Sequence, residues 1–305
     1  MSDKILITGA SGFVGRYFVD FLSQRHPVTT LGNRGEEIIC DLSTEVPALH
    51  EQYDTVIHLA GKAHTVPKTE AEANAFFEVN VTGLRNLLAA LEMQGRLPKK
   101  IVLFSTVAVY GRESGELINE ETPLKASDPY GKSKIQAEQM LHEWAEKNSV
   151  TLTILRPPLI VGKNAPGNLG DMVSAIRKKR YFQIGGGKTR RSMVLADDIP
   201  PFVEKIWDKG GCYHITDGHH PSFKELSETI AGILNKLPII NLPYWLLKPV
   251  ALSFDILEII TRKKMPLSGY KLKKLTNSYT FDDTHARQNG WESRKVIDSA
   301  NLWIN

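Results

Sequence analysis

Residues 4–15 read Lys-Ile-Leu-Ile-Thr-Gly-Ala-Ser-Gly-Phe-Val-Gly, an apolar, β-branched run followed by a glycine-rich turn. Apolar residues at helical spacing follow between positions 18 and 22. This pattern predicts a buried strand, a glycine turn and a helix. In that context Gly9, Gly12 and Gly15 allow the backbone to approach a pyrophosphate at the N-terminus of the helix. The stretch therefore predicts a dinucleotide-binding α/β fold.

Short apolar runs and helical patterns alternate through the first half of the chain. The runs that predict strands are residues 27–31, 37–40, 55–60, 100–104 and 151–155, and helical patterns cover residues 76–91 and 129–144. Strands that alternate with helices in this way indicate the α/β class, with a Rossmann-like, doubly wound parallel sheet.

The character of the sequence changes after residue 162. Gly, Pro and Asn are concentrated in residues 164–170, and Ser222 with Glu225 three residues later predicts a capped helix. We therefore predict two domains. They are a dinucleotide-binding domain over residues 1–162 with a returning segment at about 192–216, and a smaller C-terminal substrate-binding domain over residues 163–191 and 217–305.

The composition is ordinary for a soluble globular protein, since 42% of the 305 residues are hydrophobic, 24% are charged and the net charge is +4. So small a charge, without an arginine-rich patch, argues against nucleic-acid binding. The two distant cysteines, Cys40 and Cys212, form neither a metal-ligand nor a disulfide pattern. A strand begins too close to Met1 for a signal peptide. These features predict a cytoplasmic protein without a bound metal.

Two local features concern other partners. Residues 177–180 and 262–264 are short basic runs, which are typical of solvated helix ends and otherwise suit an anionic substrate or an anionic membrane surface. The most hydrophobic region, residues 237–260, is interrupted by prolines, Lys248 and Asp255. It therefore predicts buried or interfacial helices and not a membrane span, with peripheral membrane contact as the alternative.

Tyr130 and Lys134 form a candidate proton-transfer pair. If Tyr130 opens a helix, Lys134 lies one turn further along the same face. The ordinary pKa of a phenol is about 10, and a neighbouring ammonium favours the phenolate. The pair therefore suits proton transfer at an alcohol or ketone carbon, although Tyr and Lys at this spacing are also common on helix surfaces. Ser105 and Thr106 follow a predicted strand and can reach the reacting oxygen with a hydroxyl.

The end of the second predicted strand concerns the choice of cofactor. Folds that prefer NAD place an Asp or Glu there to accept a hydrogen bond from the ribose 2′-hydroxyl, but this chain has Gly32, Asn33 and Arg34. Because arginine pairs with a 2′-phosphate, the sequence favours NADP(H), with a merely solvated Arg34 as the alternative.

Three further polar residues lie near predicted strand ends. Asp41 is placed to contact the adenine amino group, or else to form a turn. His58, at the end of a buried strand, is interpreted as structural. His64 lies in the loop beyond, where a substrate can reach it.

Several short motifs stand in a fixed order along the chain. They are residues 8–15, His58-Leu59-Ala60-Gly61, Asn80-Val81-Thr82-Gly83, residues 105–111, residues 130–134, Leu155-Arg156-Pro157, residues 191–198 and residues 283–291. In this order and spacing they resemble the extended short-chain dehydrogenase/reductase family, in particular its nucleotide-sugar epimerase/dehydratase branch. The resemblance covers nearly the whole chain.

The resemblance implies a role for individual residues. Tyr130 would be the acid/base at a sugar hydroxyl, Lys134 would lower its pKa and bind the nicotinamide ribose, and Thr106 would complete the catalytic triad. The expected cofactor-binding residues are Gly9, Ser11, Gly12, Phe13, Val14, Gly15, Asn33, Arg34, Asp41, Leu42, Leu59, Ala60, Gly61, Tyr130, Lys134 and Pro157. The expected substrate-binding residues are Lys62, His64, Ser105, Thr106, Asn168 and Arg191, of which Asn168 and Arg191 resemble groups that hold the diphosphate.

The implied activity is NAD(P)-dependent hydride transfer at a ring carbon, C4, of a nucleotide-diphosphate sugar, with a UDP-linked sugar and a role in surface-glycan sugar biosynthesis expected. The chain would be a 4-epimerase or a 4-ketoreductase. Val107 and Ala108 stand where 4,6-dehydratases carry an acid pair, which argues against dehydration. A catalytically silent dinucleotide-sensing protein is the alternative from another class. Related enzymes pair through two helices, so a homodimer is expected.

Overall fold

The computed structural model describes residues 2–63, 65–247, 249 and 277–304. His64, the basic run at 262–264 and most of the second half of the apolar region at 237–260 lie outside the described residues.

The strands are short and most of them belong to one sheet. They are β1 (Ile5–Thr8), β2 (Val28–Gly32), β3 (Ile38–Ile39), β4 (Thr55–His58), β5 (Lys100–Phe104), β6 (Gly115–Ile118), β7 (Thr151–Leu155), β8 (Leu159–Val161), β9 (Phe182–Ile184), β10 (Met193–Leu195), β11 (Gly211–Tyr213), β12 (Ile240–Leu242) and β13 (Tyr279–Phe281). Within the described residues, seven of them form a parallel sheet in the order β11-β7-β5-β4-β1-β2-β3. The order changes direction between β1 and β4, so the crevice for a ligand lies at their carboxyl ends.

The helices include α1 (Phe13–Leu22), α2 (Glu70–Phe77), α3 (Gly83–Glu92), α4 (Pro129–Asn148), α5 (Asn168–Arg177), α6 (Ile199–Ile206), α7 (Phe223–Ile233) and α8 (Thr284–Gln288). Of these, α3 and α4 pack on one face of the sheet, and α1 and α6 pack on the other. Successive side chains of a strand point to opposite faces, so Leu6 packs into the core with α3 and α4, whereas Ile5 and Ile7 pack with α1 and α6. The predicted doubly wound α/β fold is confirmed.

Capping residues fix where helices α4 and α7 begin. Asp128 accepts a hydrogen bond from the backbone N of Gly131 at 3.0 Å, and Pro129 occupies the first turn of α4. Ser222 and Glu225 form the predicted capping box at the start of α7. The helical pattern predicted for residues 76–91 differs in one respect, because a π-helical turn at Glu78–Thr82 separates α2 from α3.

Smaller elements lie outside the seven-stranded sheet. Among the described residues they include three two-stranded parallel pairs, β8 with β10, β9 with β12 and β6 with β13. A separate apolar cluster joins α5 and α7 to the C-terminal segment through Leu169, Ile230 and Trp303. The division of the chain into two domains at residue 162 stays a prediction.

The described part of the apolar region at 237–260 differs from the expected helices at its start. Residues Ile240–Leu242 form strand β12, and Leu237, Ile240 and Trp245 are exposed. No helix among the described residues is long and apolar enough to cross a lipid bilayer.

Candidate active site

The loop between β1 and α1 has no room for side chains. Gly9 has a φ of +70°, and a Cβ there would lie 2.7 Å from the backbone N of Ala60. A Cβ on Gly15 would lie 2.2 Å from the carbonyl oxygen of Gly9. Gly12 caps α1 without a side-chain hydrogen bond, so the first N–H groups of the helix have no side-chain cap. The loop has the shape and the donors that suit a pyrophosphate.

A cleft of about 390 Å³ joins this loop to the ends of β4 and β5. The predicted site residues that line it are Gly9, Gly12, Phe13, Val14, Gly15, Leu59, Gly61, Lys62, Ser105, Thr106, Tyr130, Lys134 and Pro157. Ala63, Phe104, Pro158, Leu159, Ile160 and Pro166, which the sequence did not single out, complete the wall. The fold therefore gathers the candidate catalytic trio and the glycine loop around one space.

Lys134 is a buried cation in this cleft, with only 6% of its surface exposed. Its Nζ donates a hydrogen bond to the carbonyl oxygen of Phe104 at 2.8 Å. Burial lowers the pKa of Lys134 to about 8, although the charge of Glu138 acts in the opposite direction. A Cβ on Gly61 would lie 3.2 Å from the same Nζ, so a glycine there keeps the ammonium open to the cleft.

Tyr130 lines the same cleft from the start of α4, with its ring centroid 5.8 Å from that of Phe76. Burial raises the pKa of Tyr130, and a hydrogen bond with the Thr106 side chain partly offsets that effect. Thr106 Oγ1 also accepts from the backbone N of Ala108 at 3.2 Å, which fixes the hydroxyl in place. The expected lowering of the Tyr130 pKa by Lys134 is not seen here, because burial dominates and the ammonium is directed to the Phe104 carbonyl.

Asn80 is a buried positioning residue that the sequence showed only as part of a motif. Its Oδ1 accepts from the backbone N of Lys62 at 2.7 Å. Its Nδ2 donates to the carbonyl oxygen of Lys62 at 3.2 Å and to Ser133 Oγ at 2.9 Å. Asn80 lies in the π-helical turn and so ties the loop after β4 to helix α4.

Ser105 belongs to a buried group behind the cleft, which we call the ion cluster and which comprises Ser105, Tyr110, Glu138, Arg156 and His214. The Ser105 hydroxyl donates to Glu138, and Arg156 pairs with Glu138 at 2.6 Å. Arg156 Nη1 lies 2.9 Å from the Tyr110 hydroxyl, which lies 2.6 Å from His214 Nε2. Ser105 therefore lines the cleft but commits its hydroxyl to Glu138, which argues against its expected contact with substrate.

His58 and Asp41, near the strand ends, form hydrogen bonds to other residues of the chain. His58 is buried, with its Nδ1 2.8 Å from Thr8 Oγ1, and burial lowers its pKa to about 3, so the ring is neutral. Asp41 Oδ1 accepts from the backbone N of Ser43 at 3.0 Å and from its hydroxyl at 2.6 Å. Asp41 thus forms a turn, and Leu42 is buried in the core; their contact with the adenine stays a prediction.

A second, open space of about 570 Å³ is lined by Ser11, Asn33, Arg34 and Gly35. Beside it lies Glu36, which is not among the site residues expected from the sequence. Glu36 Oε1 accepts from the backbone N of Ser11 at 3.1 Å, and Oε2 accepts from the backbone N of Arg34 at 3.2 Å.

The two residues expected at the diphosphate, Asn168 and Arg191, belong to separate segments of the chain after residue 162. Asn168 is the first residue of α5. Arg191 donates to the carbonyl oxygen of Arg190 at 3.1 Å, and its guanidinium lies 5.6 Å from the ring centroid of Phe223. Arg191 is not among the described residues that line the cleft. Their contact with a diphosphate stays a prediction, as does the role of His64.

The described residues fit a dinucleotide. The glycine loop provides the close approach that a pyrophosphate needs, and the space beside Asn33 and Arg34 lies where the adenosine ribose belongs, at the end of β2. Lys134 lines the same cleft as the glycine loop, where it can bind the nicotinamide ribose.

These features define the chain as a member of the NAD dependent epimerase/dehydratase family, whose profile matches residues 5–211. The resemblance to extended short-chain dehydrogenases/reductases is confirmed, and the chain is an NAD(P)-dependent enzyme of that type.

One curated relative and two solved structures are similar to most of the chain. The chain is 31% identical to N-acetyl-α-D-glucosaminyl-diphospho-ditrans,octacis-undecaprenol 4-epimerase of Escherichia coli O157:H7, over 95% of this chain and 91% of the relative. Two solved structures share the fold. They are RMD from Pseudomonas aeruginosa complexed with NADPH (21% identity, TM-score 0.75, covering 99% and 98% of the chains) and the UDP-glucose 4-epimerase of Thermus thermophilus complexed with NAD (20%, TM-score 0.73, covering 99% and 97%).

Proposed function

We propose that the chain is a 4-epimerase of a UDP-linked hexose, with a role in making sugars for surface glycans. The observation that carries the proposal is the convergence of Thr106, Tyr130 and Lys134 on the cleft that the glycine loop borders. A sensing protein has no use for such a trio, so we favour an enzyme.

The chain's own residues supply the proton chemistry. A bound nicotinamide would accept a hydride from C4 and return it. Tyr130 would take the proton of the C4 hydroxyl during oxidation and give it back after the keto sugar has turned its other face. Thr106 would hydrogen-bond the same oxygen, and the Lys134 ammonium would favour the phenolate once substrate and cofactor fill the cleft.

The diphosphate would lie towards the residues after 162, which we propose as the substrate-binding part of the chain. Asn168 and Arg191 remain our candidates for holding it. A homodimer and contact with a membrane surface also stay predictions.

A polyprenol is a second candidate for the group that carries the sugar, in place of UDP. The relative with 31% identity acts on a sugar linked through a diphosphate to a polyprenol, so this substrate needs a separate assay. Exposed apolar side chains at Phe182, Ile240 and Trp245 are consistent with a lipid-bearing substrate.

The protein is incubated with NAD and either UDP-N-acetylglucosamine or UDP-glucose. A parallel assay uses polyprenyl-diphospho-N-acetylglucosamine in detergent. In both assays the ratio of C4 epimers is measured by chromatography. Interconversion without net consumption of cofactor supports a 4-epimerase and identifies the carrier. Stoichiometric oxidation of NADH or NADPH by a UDP-4-keto sugar, without epimerisation, would instead identify a 4-ketoreductase. Tyr130→Phe is the matched control, since the same protein without the phenol should be silent.

A further inference from the structure

The sequence has no acidic residue at the end of β2, but in the folded chain the carboxylate of Glu36 lies against Gly32 at that position. A Cβ built on Gly32 would lie 2.7 Å from the carboxyl carbon of Glu36 and 2.7 Å from its Oε1. The Glu36 carboxylate therefore fills the volume that a side chain at position 32 would occupy. Gly32 is small because the loop that follows returns an acid to that position.

The Glu36 carboxylate is fixed and shielded. Its exposed fraction is 9%, and its two oxygens accept from the backbone N–H groups of Ser11 and Arg34. Ser11 belongs to the glycine loop, so the carboxylate joins that loop to the end of β2. A carboxylate has about four lone-pair sites, and these two bonds leave capacity for a hydroxyl donor.

We infer that Glu36 takes the place of the acid missing from the end of β2, binds the ribose 2′-hydroxyl and makes the chain prefer NAD(H) to NADP(H). A 2′-phosphate would meet a negative carboxylate there. The two backbone N–H groups that could bind the phosphate already donate to Glu36. Arg34, the residue from which the sequence favoured NADP(H), is exposed and borders the open side of this space.

This inference rests on the dinucleotide site of the proposed enzyme and not on the sugar chemistry. A cofactor that is returned to its starting state in every turnover suits an epimerase, so the two proposals agree, but each can fail alone. Cofactor binding without substrate tests the first, and the epimer ratio tests the second.

The experiment measures the Kd of NADH and of NADPH by titration calorimetry on the full chain. The wild type should bind NADH more tightly. Glu36→Gln should lower the ratio of the Kd of NADPH to the Kd of NADH by about tenfold or more, because the amide removes the like charge that a 2′-phosphate would face. Glu37→Gln is the matched control, since it removes one negative charge from an exposed position in the same loop and should leave the ratio unchanged.

A double variant moves the acid back to the strand. Gly32→Asp with Glu36→Ala should restore the NADH preference that Glu36→Ala alone loses, and it keeps the inference testable if Glu36→Gln folds poorly. A wild type that binds NADPH at least as tightly as NADH would overturn the inference. So would equal effects of the substitutions at positions 36 and 37, or a double variant that binds the two cofactors as Glu36→Ala does.

Discussion

The active-site cleft and the ion cluster use neighbouring turns of the same helix, α4, to hold buried cations in opposite ways. In the cleft, Lys134 has a backbone carbonyl as its hydrogen-bond acceptor, and burial lowers its pKa to about 8. In the ion cluster, burial also disfavours the charge of Arg156, but the hydrogen bonds and charge of Glu138 outweigh it and raise the pKa. A paired buried charge is fixed in one state, whereas an unpaired one can respond to a ligand or to pH.

The largest effect should come from the phenol of the cleft. Tyr130→Phe removes the group that exchanges the substrate proton, so turnover should fall by about 10²–10⁴-fold. The Kd of NADH, measured by titration, should change little, because the ring and its contact with Phe76 remain. Undiminished turnover in this variant would remove Tyr130 from the mechanism.

The ion cluster should instead show its effect in stability. Arg156→Met leaves the carboxylate of Glu138 buried without its partner, so the free energy of unfolding should fall by about 3–5 kcal/mol in urea titrations. Arg156→Met with Glu138→Leu should recover much of this loss, because no buried charge is left unpaired. If the single and double variants unfold alike, the pair does not act as a unit.

The pH dependence distinguishes the two cations. Activity that needs the Lys134 ammonium should fall about tenfold for each pH unit above a pKa of about 8. Between about pH 8 and pH 10.5, Lys134 is deprotonated in the folded chain but still protonated in the unfolded chain, where its pKa is the ordinary 10.5. The contribution of Lys134 to the free energy of unfolding therefore rises with pH as activity falls. A kcat/KM profile that stays flat to pH 10, with folding checked by circular dichroism, would contradict this role.

The smallest expected effect is that of Ser105→Ala, which we compare with Thr106→Ala at the adjacent hydroxyl. Ser105→Ala removes the hydrogen bond to Glu138 and should lower the free energy of unfolding by about 1 kcal/mol with little change in kcat. Thr106→Ala should lower kcat, because Thr106 is the hydroxyl beside Tyr130. Equal losses of kcat in the two variants would mean that Ser105 also reaches the substrate.

The fold, and the gathering of most candidate site residues around one cleft, follow from local sequence patterns. The apolar run before Gly9 and the alternation of strands and helices determine the sheet, and the spacing of Tyr130 and Lys134 places both side chains on one face of α4. These signals are read within a few residues of each other.

Other site features depend on contacts between distant segments. Ser105 and Thr106 are equivalent in sequence, and only the packing of Glu138 and Arg156 behind β5 separates them. Glu36 is an ordinary loop acid until the backbone returns it to Gly32. The pKa of Tyr130 depends on burial, which the spacing of two residues does not reveal.

The π-helical turn at Glu78–Thr82 acts as a one-residue insertion in the path from α2 to α3. A residue in an α-helix advances the chain by about 100° of rotation, so deleting one residue here would convert the turn to an α-helix and rotate α2 by roughly that angle relative to α3. Phe76 would then turn away from Tyr130. The contact between Phe76 and Tyr130 therefore depends on the number of residues in this turn as well as on their identity, and length variants of the turn should be as damaging as substitutions of the residues it positions.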